Sequence, residues 1–174
     1  KGRYESEYSG LEYRHVGSST PLTGLLGCLL EESRTNSILQ SRQFDTTWAA
    51  SIGTSVLTQD QIGIDGVANT AWQLEDDNAS LREDIQQTVT ISNDSNVHCF
   101  SLYILKDNDE ARFPEIRLSA SGGTLVSNNT QINTKTGALT DRSSVGTVTR
   151  KTESAGIWWR LILTAANNTT GNTA

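Results

Sequence analysis

The stretch Ile157-Trp158-Trp159-Arg160-Leu161-Ile162-Leu163-Thr164 decides the fold class. Trp159, Leu161 and Leu163 fall on one parity, and Trp158, Arg160, Ile162 and Thr164 on the other. That is the two-residue period of a strand, not the 3.6-residue period of a helix. Working outward, the same alternation recurs in three more runs. In His98 to Leu105, Phe100, Leu102 and Ile104 oppose Cys99, Ser101, Tyr103 and Leu105. Within Glu115 to Ser119, Ile116 and Leu118 oppose Glu115, Arg117 and Ser119. In Ile85 to Ile91, Ile85, Val89 and Ile91 oppose Gln86, Thr88 and Thr90. One apolar and one mixed face per strand is the signature of antiparallel sheets with one side in a core.

Polar clusters separate these runs: Ser92 to Asn96, Lys106 to Asp109, Ser121-Gly122-Gly123, Lys135-Thr136-Gly137 and Ser154-Ala155-Gly156. Such turn residues at short intervals predict an all-β, antiparallel β-sandwich or barrel. Helix is expected in one or two short turns at most. Lys1 to Thr23 shows no sustained period and reads as an N-terminal arm, with one short strand at Leu11-Glu12-Tyr13-Arg14. The sandwich is assigned to residues 24–166 and a fraying polar tail to 167–174.

Charge and composition exclude several functions. The 174 residues carry 14 basic and 20 acidic side chains, a net charge of −6, and no basic stripe. Phosphate contacts need clustered Lys and Arg, so a nucleic-acid binder is not expected. The longest apolar run, Gly24 to Leu30, is far short of the roughly 20 residues of a membrane span. The chain opens at Lys1 without a signal-like segment and reads as a piece of a longer polypeptide. Cys28 and Cys99 lie among apolar neighbours and are expected as two free, buried thiols. His15 and His98 are isolated, and no Cys/His spacing suits zinc.

Several segments in order resemble a known family. Gly27-Cys28-Leu29-Leu30-Glu31-Glu32-Ser33-Arg34-Thr35-Asn36, Gln40-Ser41 and Phe44 to Trp48 look like the opening of a carbohydrate-binding-module-like domain. Such domains occur in bacteriophage tail-fibre and tailspike proteins and in secreted polysaccharide-degrading enzymes. Gln87 to Ile91 and Phe100 to Tyr103 resemble its central strand pair, Asn133 to Gly137 a later strand and turn, and Trp158 to Leu161 its late Trp-aromatic-Arg strand. The resemblance covers about residues 24 to 165 and implies a jelly-roll β-sandwich without catalysis, binding a polysaccharide or cell-surface glycan in an extracellular or virion setting. It also implies one more aromatic-rich closing strand, absent before Ala174, and an aliphatic residue where Cys28 stands.

Candidate chemistry follows from residue type. Sugars need flat aromatic faces and planar polar groups. On the mixed parity, Tyr103, Arg117, Trp158 and Arg160 are expected to line one shared glycan-contacting surface, with Gln86 and Thr88 nearby if their strands are neighbours. For Trp158 the alternative is a covered face, because Leu105 and Ile162 share its parity and an arm could pack there. Trp72 is a rim platform or a sheet-edge core residue, and Trp48 a core residue. Glu31 and Arg34 are expected as a structural ion pair. The acidic residues Glu75-Asp76-Asp77 and Glu83-Asp84 could serve as a glycosidase pair, but loop acidity explains them more simply. The same cluster, with Asn78, is where a structural calcium, common in jelly-roll modules, would be sought, although the alternate ligand spacing of an EF-hand is missing. An overall acidic chain favours a neutral glycan over a sulfated one. The rival reading is a ligand-free spacer or assembly domain of a phage fibre.

Overall fold

The computed structural model describes residues 35–109 and 112–170. The chain divides into Lys1–Asn36 and Ser37–Ala174. The expected strand at Leu11 to Arg14, the opening segment before Thr35 with its Glu31 and Arg34, and Cys28 lie outside the described residues.

Within the second unit the structure is all-β, as expected, and among the described residues there is no helix. The described residues form eight strands in order: β1 Val56–Gln61, β2 Ala71–Glu75, β3 Val97–Leu105, β4 Glu115–Ala120, β5 Val126–Ile132, β6 Leu139–Asp141, β7 Val148–Ala155 and β8 Trp158–Ala166. All pairings are antiparallel. β1 and β2 form a hairpin, and two three-stranded sheets have the orders β3-β8-β7 and β4-β5-β6.

The two larger sheets share a core. Ile116 of β4, Ile132 of β5 and Leu161 and Leu163 of β8 form its buried centre, and Phe100, Leu102, Ile104, Leu118, Leu139 and Trp159 pack against it half-buried. Trp159 closes one end. Its Nε1 donates to the Thr134 carbonyl at 2.8 Å, and Lys106 Nζ stands 4.2 Å above the ring. Gly137 leaves the indole its room, since a Cβ there would come within 2.9 Å of ring atoms.

Part of this core is polar, which explains why β5 and β7 escape the sequence pattern. Inward residues of β5 include Asn128 and Thr130, both fully buried. Asn128 Nδ2 donates to the carbonyls of Thr149 (2.6 Å) and Thr164 (3.0 Å), and its Oδ1 accepts from the Thr130 hydroxyl (2.8 Å). Buried polar groups are tolerated when satisfied in this way. Across the open edge between the sheets, Arg150 pairs with Asp141 at 3.0 Å and donates to Ser144 Oγ at 2.8 Å.

Three expectations are corrected. Ile85 to Ile91 forms no ladder strand. It keeps the predicted alternation, with Ile85, Gln87, Val89 and Ile91 half-buried, but Gln86 makes only an isolated bridge to Ala49. Gln87 ties down the loop opposite by donating to Leu39 O and Thr47 Oγ1. Cys99 is free but exposed, because it sits on the outward parity of β3. The start of the tail is anchored: Asn167 is buried and donates to Ser92 O, and Asn168 donates to Thr124 O. Amide side chains find turn carbonyls there, and Gly123 has no space for a Cβ because Thr170 O would stand 2.2 Å away.

Candidate functional site

Tyr103, Trp158 and Arg160 share the outward face of the β3-β8-β7 sheet. Register sets its rows across the three strands: Cys99–Thr164–Thr149, Ser101–Ile162–Lys151, Tyr103–Arg160–Glu153 and Leu105–Trp158–Ala155. Neighbouring strands lie about 4.8 Å apart, so each row spans about 10 Å. In the third row Tyr103 is 44% exposed, beside an Arg160 side chain that is 43% exposed. Glu153 receives Lys151 Nζ at 2.6 Å and stands 3.8 Å from Arg160 Nη1. The Lys151 hydrogen bond, aided by the charges of Lys151 and Arg160, holds the Glu153 carboxyl below the usual carboxylate range. Arg160 therefore meets an ionised but shared partner, and its Nε is buried without one.

Trp158 takes the outward parity, as expected, yet it is only 9% exposed. It is a filled position between Leu105 and Ala155 rather than an open platform. Alternation reports the direction in which a side chain leaves its strand and says nothing about what lies over it.

Arg117 does not join this face. It projects from β4 opposite Ile116, and Ile116 packs in the same core as Leu161 and Leu163. Arg117 and Arg160 thus point out of opposite sides of the sandwich, and the expected four-residue surface divides in two. Gln86 is not a ladder neighbour of β3 or β8 either, since its backbone exchanges hydrogen bonds with Ala49. Trp72 is half-buried, donates from Nε1 to Arg42 O at 3.0 Å and packs 6.1 Å from the Phe44 ring. Phe44 also meets Trp48 edge-on at 5.2 Å. These contacts give Trp72 and Trp48 the packing role.

The acidic loop is laid out as a series of turn caps. Asp76 Oδ1 accepts from the Asn78 N–H, Asn78 Oδ1 from Ser80 and Leu81, Glu83 Oε2 from Asp77, and Asp84 Oδ1 from Ser51 and Ile52. Among the described residues no three Asp, Glu, His or Cys side chains converge where a metal ion could be held, and the side chains of this loop are engaged in turn caps.

Sequence reading missed the outward face of β4-β5-β6. Its rows are Glu115–Gln131–Thr140 and Arg117–Asn129, the latter extended by Arg142, whose N–H donates to Asn129 O. Below them, Ser119 pairs with Ser127, and Ser127 bridges Val145. No apolar alternation marks β5, so no signal in the sequence could have assembled these groups. No family model, curated protein or solved structure matches the chain.

Proposed function

We propose that this chain is a non-catalytic carbohydrate-binding module of a phage tail fibre or secreted enzyme, recognising a polysaccharide or cell-surface glycan outside the cell. The reading takes the two packed sheets as a jelly roll and the chain as part of a larger, extracellular or virion polypeptide. The observation that carries it is the Tyr103–Arg160–Glu153 row, where an exposed phenol ring lies beside a guanidinium and a carboxylate on a half-open sheet face. The ring offers a flat surface to the apolar side of a pyranose, and the charged pair offers donors and acceptors to its hydroxyls or to a uronate carboxylate. Stacking between aromatic rings is worth about 0.5–1.5 kcal/mol beyond area burial, a scale borrowed here for a sugar face. A glycan array followed by calorimetric titration tests the site. Tyr103→Ala is expected to weaken binding several-fold to about tenfold in a folded protein. Unchanged affinity would sink the site.

One observation favours the spacer reading. Val97 (59% exposed) and Leu105 (44%) lie on the same outward parity of edge strand β3, beside the buried Trp158. Among the described residues β3 has no strand on its outer side, and apolar groups along such an edge suit subunit contact. Sedimentation that shows a stable oligomer, together with an array without hits, would select it.

A further inference from the structure

We infer that the outward face of β4-β5-β6 is a separate subsite for a carboxylate-bearing glycan, a uronic-acid polymer, held by Arg117 and Arg142; this rests on the glycan-recognition reading. Both guanidiniums have donors to spare. Arg117 is exposed and donates only from Nε, to Ser127 Oγ at 3.2 Å, among the described residues. Arg142 is 52% exposed, and its Nε lies 3.8 Å from Glu115 Oε2, too far for a hydrogen bond. Arg142 starts beside one edge of β5 and Glu115 lies on the strand at the other, so the two side chains reach toward each other across the middle strand. This approach places the Arg142 guanidinium beside the end of a β4 side chain, on the face that carries Arg117.

The backbone under Arg142 is firmly set. Asp141 Oδ1 accepts the N–H groups of Ser143 and Ser144, and Asp141 Oδ2 pairs with Arg150. With Asp141 paired to Arg150, Glu115, on the same parity of β4 as Arg117 and 3.8 Å from Arg142, is the carboxylate beside the two arginines. Asn129 adds unused capacity: Nδ2 is 3.4 Å from Ser143 Oγ, and Oδ1 is buried without a partner.

The surface favours a sugar over a protein partner. Protein contacts are anchored by a buried aromatic or aliphatic cluster. These rows hold only Glu, Gln, Thr, Arg, Asn and Ser until Val145 at the margin. Planar amides and forked guanidiniums suit the hydroxyls and carboxylates of an extended glycan. The net charge of −6 does not oppose this, because charges more than about 8 Å away are largely screened at physiological salt.

The test titrates oligogalacturonate and its methyl-esterified counterpart, which share a backbone and differ in charge. Oligogalacturonate is expected to bind with an affinity that falls as salt rises. Arg117→Gln and Arg142→Gln should each weaken it about tenfold, the scale of one charge-assisted hydrogen bond. Glu115→Gln, which removes the competing carboxylate, should tighten it several-fold, an effect that a merely structural role would not produce. Unchanged melting temperatures establish that the variants fold. Equal binding of the ester, wild-type affinity in both arginine variants, or no binding of the charged oligomer overturns the inference. So does self-association that is lost in Arg117→Gln, which would assign the row to a protein contact. If a neutral glycan still binds and is lost in Tyr103→Ala, the inference alone has failed; if an array also yields no ligand, the glycan reading fails with it.

Discussion

The two outward faces of the sandwich are built on the same alternation and differ in content. The β3-β8-β7 face carries Val97, Tyr103, Leu105, Trp158 and Ile162 among its charges, and Trp158 there is as little exposed as the core residue Ile116. The β4-β5-β6 face carries Glu115, Arg117, Asn129, Gln131 and Arg142 and lacks a large apolar group at its centre. Outward parity is therefore not a synonym for a solvated surface. It also names a direction relative to one sheet only, so residues predicted to share a surface can emerge on opposite sides of the molecule.

The largest expected effect would break this comparison at Trp158. If the residue is packed as a filled position, Trp158→Ala should cost about 3–5 kcal/mol in urea unfolding. A cost near zero would mean an open face and return Trp158 to the list of sugar platforms. Leu161→Ala, on the other side of the same strand, removes a fully buried side chain and should cost roughly 2–5 kcal/mol. A smaller loss than at Trp158 would make the outer face the better packed of the two.

Asn128 tests whether the polar part of the core is structural. Asn128→Leu keeps the branched side-chain skeleton, with methyl groups in place of the amide, but leaves the Thr149 and Thr164 carbonyls without their donor. Roughly 1–3 kcal/mol of destabilisation is expected, and a stabilised variant would show that the network is dispensable.

The smallest effect concerns Asp141, which accepts the N–H groups of the bend at Ser143 and Ser144. The Ser144 N–H bonded to it, with the Ser144 hydroxyl, the Ser143 N–H and Arg150, holds its carboxyl well below the usual carboxylate range. A lowered folded-state value means that the native state favours the ionised form. Its contribution is present above the ordinary value of 3.8 and is lost as pH falls through the depressed one. The melting-temperature gap between wild type and Asp141→Asn should therefore be constant near neutrality and shrink in acid below about pH 4. A gap that persists unchanged at the lowest pH would detach Asp141 from this role.

Legibility followed the chemistry of each strand. β3, β4 and β8 were readable because their inward residues, such as Phe100, Ile116 and Leu161, are uniformly apolar while their outward neighbours are mixed. β5, Val126-Ser127-Asn128-Asn129-Thr130-Gln131-Ile132, was not, because its inward Asn128 and Thr130 are polar residues satisfied by bonds to each other and to strands far away in the chain. Ile85 to Ile91 erred the other way, with a correct alternation that makes an isolated bridge in place of a ladder. Of the candidate site, Tyr103 and Arg160 were found together because they lie on register partners of two readable strands.

What the sequence by itself determined was local: the all-β class, the parity of each apolar strand and the turns between them, all of which follow from backbone geometry and neighbouring side chains. Strand order, the side of the sandwich from which Arg117 leaves, the burial of Trp158 and the partners of Asn128 were decided only by tertiary structure. Each depends on which distant strands pair and stack, and a two-residue period carries no information about that.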